Sequence, residues 1–404
     1  MSPDDAAPPS PAESPFPAGT PDAFDAVVVG AGVIGLSCAW RLAQRAMTVL
    51  VVDPEPARGA SWVAAGMLAP VSEAQFGEEL HVAPALASAA RWPAFAAELE
   101  ACAARPIGYL RSGTLIVAAD EDDRAWASEL HRFQTELGLE AHWLSGRAAR
   151  TVEPAVAPGV RAAISVPGDH QVDNRLLLGA LLEACRDAGV TLARRRAVAL
   201  ERAGGTVMGV VLDGGALSKS NVVVLAAGCR SNELAGLPEG AAPPVRPVKG
   251  QILRMAVSAR APVLSTVVRA VVQGSSVYLV PRADGSVVVG ATVEERGFDA
   301  TVTAGAVYEL LRDAHRVVPG IDEMVLAESA AGLRPGSPDN APIVGRAPVV
   351  DCEGLVLATG HHRQGILLTP LTADTVAALV TGGDVPPEAA AFDPRRLTSA
   401  RAGR

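Results

Sequence analysis

The chain has 404 residues, nearly half of them hydrophobic and a fifth charged, with a formal net charge of −9. That length is ample for one large or two interleaved cores, and the acidic balance argues against nucleic acid as the main partner. The five cysteines (Cys38, Cys102, Cys185, Cys229 and Cys352) are scattered and never spaced C-x-x-C. This argues against a zinc site or a disulfide framework and fits a reducing, cytoplasmic setting.

Residues 1–24 are rich in Pro, Ala and Asp, with neither a basic nor an apolar region. They read as a disordered tail, not a signal peptide, and no run in the chain is long and apolar enough to span a bilayer. DAVVVG, from Asp25, is a short β-branched run of the kind buried on both faces of a sheet. GVIGLSCAWRLAQRA follows as a helix with Ile34, Cys38, Leu42 and Ala46 on one face, and MTVLVVD is a second buried strand ending at Asp53. These three form one βαβ unit.

Residues 120–139 read as a helix, and 174–190 as a clearer one, with a Leu177, Leu181, Ala184, Cys185 stripe closed by Gly189. Strands with glycine turns follow, then VVVLAAG, another buried strand. From Val248 the texture changes to short strands joined closely, with RADGS as a hairpin turn, which predicts a mostly antiparallel sheet. A helix over 303–318 closes that region. LVLATG is a further buried strand, and 366–383 is a terminal helix with Pro370 near its first turn.

The fold class expected is α/β with an α+β insert: a Rossmann-like nucleotide domain interleaved with a second domain on a mostly antiparallel sheet. The division expected is 25–105, 160–245 and 328–404 for the first domain, and 106–159 with 246–327 for the second.

Gly30-Ala31-Gly32-Val33-Ile34-Gly35 is a G-x-G-x-x-G run between a strand and a helix, with Asp53 ending the next strand. Gly30 allows the turn, Gly32 lets backbone approach a pyrophosphate, and Gly35 lets helix and strand pack closely. Phosphates would sit on the helix N-terminus, and Asp53 would accept from a ribose hydroxyl. The fingerprint alone does not separate NAD from FAD. GASWVAAGMLAP, Gly59 to Pro70, is bare of large side chains, as a backbone lying against something flat would be. His361 and His362 are adjacent in a loop, so their side chains point apart. No carboxylate or cysteine follows at ligand spacing, and no metal is expected.

The fingerprint, Gly59 to Pro70, AAGCRS, PVKGQILRM, YLVPR, GLRPGSPDNAPIVG and ATGHHRQGILLTP occur in this order over nearly the whole chain. As a set they resemble the FAD-dependent D-amino-acid-oxidase-like family, and within it the branch that oxidises glycine for the thiazole of thiamine. The resemblance implies non-covalent FAD. Gly30, Gly32, Val33, Ile34, Gly35 and Asp53 would hold its ADP half, with Val198, Ala227 and Gly228 as further contacts. Ser61, Ala65, Gly66 and Met67 would lie along the isoalloxazine. Gly360, His361, Arg363, Gln364, Gly365 and Ile366 would line its pyrimidine side, where N–H groups at a helix start stabilise reduced flavin.

Arg334, in a loop between Leu333 and a Pro-Gly bend, would bind a substrate carboxylate bidentately. Tyr278 would donate to the same carboxylate, Arg363 would be a second arginine by the flavin, and Met67 completes the implied catalytic set. Three positions depart from the pattern: His362 where an aromatic is frequent, Gln364 for Asn, and Ser276 where histidine is common. The implied reaction takes glycine, sarcosine or a small D-amino acid with O2 to the imino acid and H2O2. The implied partners are a thiazole synthase receiving the product and further copies of the chain in a homotetramer. A sarcosine oxidase, a dehydrogenase with another acceptor and a non-catalytic FAD-binding subunit stay open as alternatives.

Overall fold

A computed structural model describes residues 23–259, 261 and 264–399. Of the expected tail only Ala23 and Phe24 are described. Phe24 belongs to the fold: it is buried, and its N–H donates to the Lys219 carbonyl at 3.0 Å.

The first sheet has six strands in the order Ile343–Arg346, Leu355–Thr359, Val223–Leu225, Ala26–Val29, Val49–Val52, Thr191–Ala193. All neighbours run parallel except Ile343–Arg346, which is antiparallel on its edge. The runs AVVV and VLVV are buried throughout, as strands covered on both faces must be. On one face pack the helices Val33–Ala43, Val82–Ala103, Asn174–Asp187 and Thr369–Thr381. Trp40 and Trp92 each meet Phe95 edge-on there, at 5.6 and 5.4 Å. Aromatic pairs favour that arrangement. A three-stranded antiparallel sheet, Ala197–Ala203, Thr206–Leu212 and Leu217–Lys219, contributes Leu200, Val207 and Val210 to the core on the other face.

The second sheet has eight strands: Val325–Gly336, Arg246–Ala256, Val287–Gly290, Ser275–Pro281, Val267–Val272, Thr114–Ala118, Ala162–Val166, His142–Ser145. One neighbouring pair, Val267–Val272 with Thr114–Ala118, is parallel and the rest are antiparallel. The expected α/β class with a mostly antiparallel second sheet is what the chain adopts.

Three local expectations differ. Val82–Ala103 forms a 22-residue helix that the sequence reading left out, because Pro84 and Pro93 interrupt an alanine-rich stretch. Ala162–Val166 and Val325–Gly336 pair in the second sheet, although the expected division put residues from 160 and from 328 with the first domain. Arg334 is not in a loop: its segment is the strand Val325–Gly336, in register with Arg246–Ala256, with Val248 opposite Arg334. Proline and glycine signal a bend, but this is the sheet's edge, where both are tolerated.

Strand alternation sets the site. Val277 and Leu279 point to the core under helix Ala304–Val317, so the alternate residues Tyr278 and Val280 point the other way. On Arg246–Ala256, Leu253 and Met255 take the helix side and Ile252 the opposite one. That opposite face meets Val63, Ala65 and Met67 of the segment leading out of the first sheet.

Candidate active site

The glycine turn stands at the carboxyl end of the first strand, where open α/β sheets bind ligands. Gly30 has φ +105°, and a Cβ there would lie 2.4 Å from the Ala226 carbonyl oxygen. At Gly35 a Cβ would lie 1.9 Å from the Gly30 oxygen, so helix and turn touch backbone to backbone. Asp53 braces the turn: Oδ2 accepts from Ala31 N–H at 2.7 Å and Oδ1 from Glu55 N–H at 2.8 Å. Ser61 Oγ accepts from Val33 N–H at 3.1 Å, which lays the Ser61–Met67 segment over the helix start. The Gly32 N–H has no acceptor among the described residues.

Gly228 has φ +57°, and its carbonyl accepts from Ser231 Oγ at 2.8 Å and Thr359 Oγ1 at 3.0 Å. Ala227 precedes it, next to the Gly30 turn through Ala226. Gly360, at φ +73°, begins the loop to the terminal helix. His361 Nε2 pairs with Thr372 Oγ1 at 3.0 Å, and burial pushes this imidazole down to about 3. It is therefore a neutral brace for the helix. Beyond it, the N–H groups of Gly365, Ile366 and Leu367 have no acceptor among the described residues. Ile366 and Leu367 are buried, and the buried Gln364 Oε1 is also unpartnered.

The Ser61–Met67 segment joins these pieces to the second sheet. Ala65 and Gly66 are buried, and neither N–H has an acceptor among the described residues. Met67 and Tyr278 both pack against the cluster that holds Ala65, Ile252 and Val288. A Cβ at Gly332 would meet Val63 Cβ at 2.9 Å, so the Arg334 strand lies directly against the segment.

Arg334 Nη1 donates to the carbonyls of Thr292 at 3.1 Å and, marginally, Lys249 at 3.5 Å. No carboxylate of the described residues forms an ion pair with it. Tyr278 is half-buried and interacts with the Arg334 guanidinium. Burial pushes its hydroxyl above the ordinary range and Glu73 adds to that, against Arg334 and Arg269, so it stays a proton donor. The two side chains offer donors and no negative charge.

Arg363 is different. Its Nη2 ion-pairs with Glu78, and its Nε lies 3.9 Å from Glu73. Glu73 also pairs with Arg269 at 3.2 Å. The arginine expected by the flavin is thus ion-paired with two acids, Glu73 and Glu78, that carry no motif in the sequence. Burial would raise the Glu78 carboxyl, but hydrogen bonds from His81 and Arg363 outweigh it and hold it well below the usual range. His362 donates its backbone N–H to the Pro335 carbonyl at 2.9 Å, and burial, with Arg363 and Arg334 nearby, pushes its ring down to about 4. Val198 lies on the three-stranded sheet with its side chain exposed and its carbonyl accepting from Ala235. No group of three or more His, Cys, Asp or Glu side chains comes together as a metal site among the described residues.

The family described as "DAO: FAD dependent oxidoreductase" matches residues 25–379. The chain belongs to this family. Hydrogen cyanide synthase subunit HcnC of Pseudomonas aeruginosa is 31% identical, covering 91% of this chain and 95% of that protein. The bifunctional protein ThiO/ThiG of Synechocystis sp. is 34% identical over 92% of this chain, which spans 54% of the relative's length. Glycine oxidase of Geobacillus kaustophilus is 36% identical over 88% of this chain and 93% of its own. The crystal structure of glycine oxidase from that organism superposes with a TM-score of 0.85, covering 93% of this chain and 99% of that one.

The residues present fit the FAD of the family. Buried N–H groups without partners are rare in folded chains. Among the described residues, N–H groups without an acceptor line up at the half-buried Gly32 by the helix start, at the buried Ala65 and Gly66, and from the half-buried Gly365 to the buried Ile366 and Leu367. An extended ligand rich in acceptors satisfies such a set: phosphates at the helix start, ring carbonyls and nitrogens at the other two.

Proposed function

We propose that the chain is an FAD-dependent amine oxidase whose substrate is glycine, with sarcosine and small D-amino acids as secondary substrates. The observation that carries this is Arg334 beside Tyr278: a guanidinium with no carboxylate partner among the described residues and a protonated hydroxyl, on the sheet face that meets Met67 and Ala65. They match one small carboxylate, bound bidentately by Arg334 and capped by Tyr278.

Bound FAD supplies the hydride acceptor and the route to oxygen. Gly30, Gly32, Asp53, Ser61, Ala65, Gly66, Gly228, Gly360, Gly365 and Ile366 would hold it. The protein's part is positioning, because each candidate base here is unfit to take an ammonium proton. His362, pushed down to about 4, is neutral but very weakly basic at neutral pH. Tyr278 stays protonated, and Glu73 and Glu78 are tied to arginines. The amine must therefore react in its neutral form. The overall change balances as glycine plus O2 giving iminoglyoxylate plus H2O2. Catalysis then rests on holding the carboxylate and excluding water.

The two-domain division, with Ala162–Val166 and Val325–Gly336 assigned to the second sheet, belongs to this proposal, as do self-association and a cytoplasmic location. No helix among the described residues is long and apolar enough to cross a membrane. The half-length match to the ThiO/ThiG relative supports hand-off of the imine to a thiazole synthase. The full-length match to HcnC favours a second reading, a subunit of an assembly that releases cyanide.

Oxygen uptake on adding glycine, with peroxide and cyanide both assayed, tests these. Uptake matched by peroxide supports the oxidase. Cyanide supports the second reading. No uptake, with flavin that still bleaches anaerobically, makes the chain a dehydrogenase.

A further inference from the structure

The Ser61–Gly66 backbone is gripped from behind by two side chains outside the site described above. Asn174, fully buried at the start of helix Asn174–Asp187, donates Nδ2 to the Ser61 and Trp62 carbonyls at 2.8 and 2.9 Å. Arg282, at the end of YLVPR and 7% exposed, donates Nη2 to the Ala65 carbonyl at 2.7 Å. Its Nη1 reaches Gln171 Oε1 at 2.9 Å and the Val172 carbonyl at 3.3 Å, and Asp173 lies 3.5 Å from its Nε. A buried cation is costly unless it is well bonded, and most of the bonds here go to backbone and amide oxygens.

Peptide planarity turns this grip into direction. In a trans peptide the C=O of one residue and the N–H of the next point opposite ways. With the Ala65 carbonyl on Arg282, the Gly66 N–H faces away from Arg282. Gly66 is buried, and this N–H has no acceptor among the described residues. The Gly66 carbonyl is fixed as well, accepting from Val172 N–H at 2.9 Å, and a Cβ on Gly66 would lie 1.9 Å from the Val172 oxygen. The segment can neither rotate nor slide without breaking these bonds.

We propose that Arg282 and Asn174 are positioning residues that hold the Ser61, Trp62 and Ala65 carbonyls and so keep the Gly66 N–H aimed at the flavin. This rests on the FAD reading and not on the identity of the amine. An aimed donor binds FAD and favours the electron-rich reduced ring over the oxidised one.

The test uses Arg282→Met and Arg282→Lys in the full chain, with FAD affinity by titration of apoprotein, the flavin visible spectrum and the flavin midpoint potential. No amine is present, so the results stand whether or not glycine is the substrate. Arg282→Met should weaken FAD binding roughly 3- to 10-fold, the loss of about one net hydrogen bond. It should also make the midpoint potential more negative and shift the spectrum, and Arg282→Lys should recover part of each. A folded Arg282→Met protein with unchanged potential and spectrum overturns the proposal, even with weaker FAD, because a merely structural role would act on affinity alone. Should Arg282→Met fail to fold, Asn174→Ala replaces it with the same expected shifts, and their absence is equally decisive.

Discussion

The guanidinium of Arg334 lies across Gly250 of the neighbouring strand: a Cβ at 250 would come within 2.3 Å of Nη1 and 2.5 Å of Cζ. Gly290 makes the same room for Tyr278, whose hydroxyl would lie 2.3 Å from a Cβ there. Two neighbouring positions thus carry no side chain so that these two donors can lie flat on the sheet. Gly250→Ala should displace the guanidinium while leaving the glycine turn and the terminal-helix loop untouched. The expected result is a KM for glycine raised about 10-fold or more, with FAD content unchanged. Arg334→Ala should do more, about 10- to 100-fold, the range of a lost charge-assisted hydrogen bond. Steady-state kinetics with flavin counted per chain checks both, and an unchanged KM in Arg334→Ala removes Arg334 from the carboxylate role.

Arg363 yields a different expectation because its charge is already taken by Glu78 and Glu73. Removing it leaves a largely buried carboxylate without its partner, which costs on the order of 3 kcal/mol. Arg363→Ala should therefore lower the melting temperature by several degrees. Adding Glu78→Ala should restore part of the loss, since no charge is then left behind. Calorimetry on the two single variants and the double variant measures this coupling. Strict additivity would show that the pair does not hold the Val71–Glu79 stretch.

What could be read from the sequence followed from local backbone rules. The G-x-G-x-x-G turn needs glycine at Gly30 for φ +105° and at Gly35 for contact with the Gly30 oxygen, and both demands are visible as residue types. The short apolar runs could mean only doubly covered strands. The chemistry of Arg334 is visible as a residue type, but its strand is not, because proline and glycine dominate its neighbours and the edge register with Arg246–Ala256 is not local information. Glu73, Glu78 and Arg269 left no local pattern: their pairs with one another and with Arg363 span up to 290 residues of sequence. Arg282 did carry a signal, an arginine closing the apolar strand YLVP, yet its partners come from two other segments, Ala65 and residues 171–174.

His361 makes a pH prediction whose sign is fixed by burial. Its folded value, about 3, lies below the ordinary 6.5 because burial disfavours the charged ring. Between those values the unfolded chain binds the proton that the folded chain refuses, so stability falls as pH falls. The slope for one such group is about 1.4 kcal/mol per pH unit below roughly pH 6.5. His361→Gln, which can still reach Thr372, should flatten the acid limb of a denaturation series between pH 6 and 4. An acid limb identical to the wild-type one would mean that His361 titrates normally.

Asp53 serves two purposes that a single isosteric change separates. Both of its oxygens accept backbone N–H groups, from Ala31 at 2.7 Å and Glu55 at 2.8 Å, so the side chain shapes the glycine turn. Its charge and remaining lone pairs are what a ribose hydroxyl would use. Asp53→Asn keeps one acceptor and the size of the group but loses the charge, while Asp53→Ala loses the brace entirely. Asp53→Asn costs the turn one of these two acceptors, so it should lower the melting temperature of the apoprotein less than Asp53→Ala does while weakening FAD binding about 10-fold. Asp53→Ala should lower both stability and FAD retention. Apoprotein titration, with melting measured before FAD is added, reads the two effects apart. Full FAD retention in Asp53→Asn would reduce Asp53 to a support for the turn, and the ribose would have to be held elsewhere along the carboxyl end of the sheet.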